Sequence, residues 1–180
     1  ESVGDSEGSP LMPVPKRRFY LLILLAFIPA ILAFWIPLMT RLVQLTLLIL
    51  GILAITDFFL IPQKKKFILE RMPLGKLSIG ADNPVDFLFE NRDKRSWHVE
   101  IRDHAPKMFM TNDDEISFKV NGLSHYQIRY HVKPTHKGHF IFQRSDIRIS
   151  GPLGLVQKQF TVRKDDACEV YPNLIEMNKF

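Results

Sequence analysis

Residues 19–38 read FYLLILLAFIPAILAFWIPL and residues 42–61 read LVQLTLLILGILAITDFFLI, and these two stretches decide the fold. The first contains no charged residue, and the second contains one, Asp57. A helix rises about 1.5 Å per residue, so each stretch is long enough to cross a hydrocarbon core of about 30 Å. Only residues 39–41 separate the two stretches, which predicts an antiparallel transmembrane hairpin with a short loop.

Two clusters of basic residues flank this predicted hairpin, whereas a single arginine, Arg41, lies between the two helices. Cytoplasmic flanks of membrane proteins are enriched in lysine and arginine. The asymmetry predicts a multi-pass protein with both termini and the downstream domain in the cytoplasm. The membrane-flanking residues are Lys16, Arg17, Arg18, Lys64, Lys65 and Lys66.

The formal net charge of +5 arises mainly next to the apolar block. From residue 67 onward, the chain has 17 basic and 15 acidic residues, so the downstream part is almost neutral. This distribution indicates contact with the anionic head groups of a lipid bilayer. It argues against nucleic-acid binding, since the sequence contains no basic stripe or nucleic-acid motif.

Asp57 is the intramembrane polar residue, and two interpretations of it remain open. A carboxylate inside a membrane segment is a candidate functional group, which points to a sensor or to a transport component. Asp57 also lies about one turn before the lysine cluster, where it could pair with a lysine or with the other helix. We favour this structural role, because a two-helix hairpin offers no further polar residues for an ion pathway.

From residue 67 the apolar pattern changes to a period of two, for example at Val85, Phe87 and Phe89. Such alternation is typical of strands with one buried and one solvated face. Seven or eight short runs are separated by turn residues, which predicts an antiparallel, immunoglobulin-like β-sandwich. The predicted organisation is a flexible tail over 1–18, the hairpin over 19–61 (helices 19–38 and 42–61), a basic linker over 62–66, a β-sandwich over 67–172, and the start of a further linker over 173–180.

Residues that could carry chemistry do not form a recognisable site in the sequence. Cys168 is the only cysteine and lies in a strand-like stretch, which favours a buried position over a reactive thiol. The histidines fit surface positions better than a zinc site. We therefore predict no enzyme activity, no cofactor and no metal. The other groups considered were His131, His136 and His139, and the acidic cluster Asp113, Asp114 and Glu115, which is interpreted as a solvated turn rather than a weak calcium site.

One segment, residues 151–155, combines apolar side chains with two glycines that permit unusual backbone conformations. It is either a crossover whose leucines cover one end of the core or a docking loop for another domain or protein. The residues of this candidate docking loop are Gly151, Pro152, Leu153, Gly154 and Leu155.

A set of short motifs, in order, resembles the amino-terminal half of the domain-of-unknown-function-58 family of bacterial membrane proteins. The motifs that carry this resemblance are the hairpin ending near Asp57, Glu70-Arg71-Met72-Pro73, the strand over 85–91 with its terminal Asn91, Val99-Glu100-Ile101-Arg102-Asp103 leading to Pro106, Tyr130 with Val132 and Pro134, Lys137-Gly138-His139-Phe140, residues 151–155, and Val170-Tyr171-Pro172.

The resemblance implies a function that the residues alone do not show. Members of this family usually continue into a carboxy-terminal domain related to the von Willebrand factor A fold, which the present sequence does not contain. They are thought to act with AAA+ ATPases of the MoxR type in the assembly or maturation of complexes. The expectation is therefore a non-enzymatic adaptor in the bacterial inner membrane, whose cytoplasmic β-sandwich binds other protein subunits.

Overall fold

The computed structural model describes residues 12–32, 37–111 and 115–172, which form two compact units. One unit contains the described residues of 63–147 and 160–172, and the other contains those of 12–62 and 148–159. The elements are β1 (Met12–Pro15), α1 (Arg17–Leu32), α2 (Pro37–Leu60), a 3-10 turn (Lys64–Lys66), β2 (Phe67–Arg71), β3 (Lys76–Ser78), β4 (Asn83–Asn91), β5 (Trp97–His104), β6 (Phe109–Thr111), β7 (Glu115–Val120), β8 (Ser124–Pro134), β9 (Gly138–Ser150) and β10 (Val156–Tyr171).

The helical unit consists of α1 and α2, β1, and the adjoining parts of β9 and β10. Arg18 at the start of α1 and Asp57 near the end of α2 both lie against the loop that joins β9 to β10, so the two helices run antiparallel. β1 pairs antiparallel with β10, from Met12 opposite Gln159 to Pro15 opposite Val156.

The helix boundaries differ from those expected. α2 begins at Pro37 rather than at residue 42, so residues 39–41, predicted as the loop, are helical. A polar Thr-Arg pair is compatible with helix, since arginine is a good helix former. The described part of α1 is Arg17–Leu32, whose 16 residues span about 24 Å. Within the described ranges, one helix, Thr40–Leu60, is long and apolar enough to cross a membrane.

The strand unit is a β-sandwich of two sheets, as the alternating pattern predicted. One sheet has the order β2-β4-β8-β6, and in the other β10, β9, β5 and β7 are neighbours, with β3 also paired to β10. β4 and β8 are antiparallel from Asn83 opposite Val132 to Asn91 opposite Ser124. The pairing of β3 with β10 is parallel. An antiparallel sandwich was predicted, so this pair differs from the prediction.

Aromatic side chains from the inward faces of both sheets fill the sandwich core. The ring centroids of Phe67 and Phe160 lie 6.3 Å apart, and those of Phe109 and Phe142 lie 5.4 Å apart, across the two sheets. The residues that alternate in the sequence, such as Phe87 and Phe89, are almost fully buried. Edge-to-face and offset contacts of this kind add to the stabilisation that burial itself provides.

Two further domain assignments differ in the structure. Part of the predicted flexible tail is ordered, because Met12–Pro15 forms β1. Residues 148–159, assigned to the sandwich, cluster with the helices instead. The predictions for residues 1–11, for the Asp113-Asp114 part of the acidic turn, and for residues 173–180 lie outside the described residues.

Candidate functional site

The carboxylate of Asp57 lies at the end of α2 and accepts three backbone hydrogen bonds from the loop after β9. The N–H groups donate to it from Leu153 at 2.8 Å, Leu155 at 2.9 Å and Val156 at 3.1 Å. Asp57 is 0% exposed. Converging backbone N–H groups form an anion-binding concavity. The loop therefore solvates a charge that would otherwise be costly to bury.

The loop has a defined local structure that presents these donors. Gly154 donates its N–H to the carbonyl of Gly151 at 3.0 Å, which closes a β-turn with Pro152 at its second position. Gly154 has a φ of +69°, a conformation that glycine adopts without strain. Gly151 donates to the carbonyl of Val156 at 2.9 Å, which fixes the base of the loop.

Gly151 leaves the space that the carboxylate occupies. A Cβ atom added at this residue would lie 2.3 Å from Oδ1 of Asp57. We expect Gly151→Ala to lower the free energy of unfolding by about 1–3 kcal/mol, because the added carbon overpacks a buried, hydrogen-bonded site. The measurement is chemical unfolding of the full chain in detergent.

Gly75→Ala is the matched control, because a Cβ there would meet nothing within 4 Å. Equal losses in the two variants would contradict the close approach of Gly151 to Asp57.

Lys158 binds the C-terminal end of α2. The Nζ of Lys158 donates to the carbonyl of Ile61 at 2.7 Å and lies 4.5 Å from the centroid of the Phe58 ring. A cation at the C-terminal end of a helix satisfies an unpaired carbonyl and complements the helix dipole. Burial lowers the pKa of the Lys158 ammonium. Lys158 and Asp57 therefore both fasten α2 to β10 and to the loop before it.

These contacts show where the two features singled out in the sequence lie. The Asp57 carboxylate binds loop N–H groups, whereas pairing with a lysine or with the other helix was expected. The candidate docking loop binds the helix of its own chain: Gly151 and Leu155 are buried, and Leu153 remains 46% exposed. The glycines were a signal of unusual backbone geometry, but no local signal in the sequence connects the loop with Asp57.

Some side chains of the basic flanks are exposed, and others form a hydrogen bond or an ion pair. Arg17 and Arg18 are exposed. Lys64 donates from Nζ to the carbonyl of Thr161 at 3.3 Å. Lys66 forms an ion pair with Asp93 at 3.0 Å, and Lys65 is exposed.

Inside the sandwich, Arg71 forms a buried ionic network that the sequence did not reveal as a unit. Its Nη1 donates to Asp166 at 2.8 Å, and its Nη2 donates to Asp103 and to Ser145. Arg71 is only 5% exposed. The phenol of Tyr130 donates to the other oxygen of Asp103. Burial and the adjacent carboxylate raise the pKa of the Tyr130 phenol.

A second polar cluster surrounds Asp146, which is 4% exposed. Its carboxylate accepts hydrogen bonds from Arg144 at 2.6 Å and 3.0 Å, from Thr161 at 2.7 Å and from His104 at 3.0 Å. Burial raises the pKa of the Asp146 carboxyl, but these donors outweigh burial and lower the pKa to about 2. The cluster connects β5, β9 and β10 within one sheet.

The depressed pKa predicts a pH-dependent stability. A group whose folded-state pKa lies below its unfolded value stabilises the protein at higher pH and loses this effect as the pH falls through the folded value. We expect the wild type to exceed Asp146→Asn by about 2 kcal/mol in unfolding free energy near neutral pH. The difference should shrink as the pH falls from about 4 to about 2.

Unfolding experiments across this pH range check the prediction, with the exposed Asp165→Asn as control. A difference between wild type and Asp146→Asn that does not change with pH would contradict the assignment.

The remaining residues singled out in the sequence do not come together. His131, His136 and His139 are exposed, as the surface interpretation predicted. Cys168 is buried, and burial raises the pKa of its thiol. Over residues 12–32, 37–111 and 115–172, no group of three metal-ligating side chains is close enough to hold an ion.

No protein-family model and no curated protein matches the chain. Among solved structures, the chain is similar to an ASH / PapD-like domain of human CEP192 (PapD-like domain 7). The identity is 12% and the TM-score is 0.45, and the match covers 63% of this chain and 90% of that domain. A likeness at this level carries no argument about function, so the functional conclusion depends on the chain's own geometry.

Proposed function

We propose that the chain is a non-enzymatic membrane adaptor, anchored by α1 and α2, that presents its β-sandwich to other proteins in the cytoplasm. One observation supports the anchor above all. Thr40–Leu60 is long and apolar enough to span a membrane, and its apolar side chains, such as Leu48, Ile55 and Phe59, are exposed. Its only acidic residue, Asp57, is fully buried and satisfied by backbone donors.

The proposed orientation depends on the basic residues. Six lysines and arginines flank the helical pair, and Arg41 alone lies near the start of α2. Because such residues resist translocation, both flanks are assigned to the cytoplasmic side of a bacterial inner membrane. The bilayer then confines the sandwich to two dimensions and raises its effective concentration for partners.

The proposed binding module is the β-sandwich, with an immunoglobulin-like arrangement as the finer interpretation. The family resemblance supplies a candidate partner, an AAA+ ATPase of the MoxR type. The exposed Pro152 and Leu153 remain available on the loop, whereas Leu155 is buried and serves the chain's own packing. Exposed strand edges are a second kind of surface that sandwiches use to bind extended peptides.

The alternative, a sensor or transport component that uses Asp57 and a ligand bound to the sandwich, has less support. An intramembrane carboxylate that relays ions or protons needs access to water or to a ligand. The Asp57 carboxylate is fully buried and accepts three backbone N–H groups, which favours a structural role.

Membrane anchoring is tested by alkaline extraction of membranes that contain the full chain, together with reporters fused at either terminus. The expected result is retention in the membrane pellet and signal from a reporter that is active in the cytoplasm. Release by alkali would contradict the anchor. Signal from a reporter active only outside the inner membrane would contradict the orientation.

Partner binding is tested by capture from gently solubilised membranes. Leu153→Asp places a charge on the exposed loop residue, and we expect it to lose partners that dock there. Leu123→Asp is the control, because Leu123 is 65% exposed on the β7–β8 turn. If both variants stay folded and retain every partner, the loop is not the docking surface.

A further inference from the structure

An apolar groove runs between α1 and α2. This open groove has a volume of about 500 Å³, in the range of small-molecule sites. Its walls are almost entirely hydrocarbon and include Leu22, Ala26 and Pro29 from α1 and Thr46, Leu50 and Leu53 from α2. The open side of the groove faces the medium that surrounds the two helices.

The lining of the groove has one polar side chain. The hydroxyl of Thr46, the one polar side chain in its lining, donates to the carbonyl of Leu42 at 2.8 Å. A polar or charged occupant would lose its solvation in the groove without finding a hydrogen bond. The lining therefore favours a hydrocarbon chain.

One end of the groove carries positive charge. Arg18 lies one helical turn before Leu22 and two turns before Ala26, so it belongs to the face of α1 that lines the groove. Arg17 and Arg18 are exposed, and neither forms an ion pair with any residue that the structure describes. A guanidinium binds phosphate oxygens through several parallel hydrogen bonds.

The acidic residue at the same end forms no ion pair with these arginines. Asp57 lies one turn after Leu53 on α2, and its carboxylate accepts hydrogen bonds from three backbone N–H groups. The guanidinium of Arg18 lies beside Gly154 of the same loop, where a Cβ atom would be 3.6 Å from Nη1. Two arginines and one carboxylate therefore leave a net positive charge at the mouth of the groove.

We propose that this groove binds one acyl chain of an anionic phospholipid, whose phosphate lies at Arg18 and Arg17. This inference rests on the proposed membrane anchor. The hydrocarbon lining selects a lipid tail, and the arginines select a head group with net negative charge over a zwitterionic one. The lipid would bind at the start of α1, next to the loop that holds α2.

The test uses the full chain in phosphatidylcholine vesicles with trace spin-labelled phosphatidylglycerol or phosphatidylcholine, and measures the fraction of motionally restricted label. We expect the wild type to restrict the motion of phosphatidylglycerol more than that of phosphatidylcholine. Arg18→Gln should reduce this preference about five-fold, the factor that corresponds to about 1 kcal/mol per basic residue near a lipid surface. Lys65→Gln removes the same charge from the other basic cluster, which does not line the groove, and should reduce the preference less.

A second pair of variants tests the lining of the groove. Leu25 and Leu24 are adjacent and similarly exposed, at 61% and 63%, but only Leu25 lines the groove. Leu25→Trp should lower the restricted fraction of lipid, and Leu24→Trp should not. Because Arg18 is exposed, Arg18→Gln decides the question even if Leu25→Trp disturbs the hairpin.

The possible outcomes distinguish failure of the membrane anchor from failure of the lipid site. Release of the chain by alkali overturns the membrane anchor and this inference with it. An inserted chain that restricts both lipids equally, or that responds identically to Arg18→Gln and Lys65→Gln, overturns the lipid site alone. Cross-links from Leu25 to a second copy of the chain, with no restricted lipid, would show that another helix fills the groove and would also overturn it.

Discussion

Asp57→Ala is expected to lower the free energy of unfolding by about 3 kcal/mol or more, since each buried donor left without a partner costs about 1–3 kcal/mol. The variant removes the acceptor of three backbone N–H groups and leaves the loop without its central contact. Asp57→Asn keeps one acceptor oxygen and should lose less. The measurements are chemical unfolding in detergent and the rate of proteolysis within residues 151–156.

Thr56→Ala is the matched control, because it changes the neighbouring residue of the same helical turn, whose hydroxyl bonds only to the carbonyl of Leu53. We expect a small effect on stability and none on loop proteolysis. An Asp57→Ala protein that is as stable and as resistant as Thr56→Ala would contradict the role of the carboxylate in holding the loop.

Arg71→Met is the second variant for which we expect a large effect, a loss of about 3–5 kcal/mol in unfolding free energy. Methionine retains much of the volume, but it leaves the Asp103 carboxylate buried without its cation, and it leaves Asp166 with only the exposed Lys164 at 3.6 Å. The rings of Phe87 and Phe142, whose centroids lie 5.3 Å and 5.0 Å from Cζ of Arg71, also lose a cation–π contact.

The exposed ion pair of Arg129 with Asp86 provides the control for this network. Arg129→Met should change stability little, because water screens an exposed pair. The double variant Arg71→Met with Asp103→Asn should lose less than the sum of the single losses, since the two side chains interact directly. Additive losses would show that the two residues are energetically independent.

The sandwich could be predicted because its strands have one buried and one solvated face. In β4, inward Val85, Phe87 and Phe89 alternate with less buried residues, and this period of two is visible in the sequence. β1 carries no such signal, since Met12–Pro15 is short and half of it is proline. β3 is equally short, and its parallel pairing with β10 follows from tertiary packing rather than from local pattern.

The candidate site could be predicted only in parts. Asp57 stood out as a charge in an apolar segment, and residues 151–155 stood out through their glycines, but their contact joins positions 96 residues apart. The period of the apolar residues reports local secondary structure, so it does not predict a contact at that separation. The start of α2 was misplaced for a related reason, because Arg41 suggested a polar loop although arginine is compatible with a helix.

The separation between Asp57 and its donors also has a consequence for biosynthesis. Leu153 follows Asp57 by 96 positions. At about 5–20 residues per second, the ribosome delivers the donors roughly 5–20 s after the acid. Until then the Asp57 carboxylate at the end of α2 lacks these three donors. The contact between α2 and the loop after β9 can therefore form only after Val156 has been synthesised.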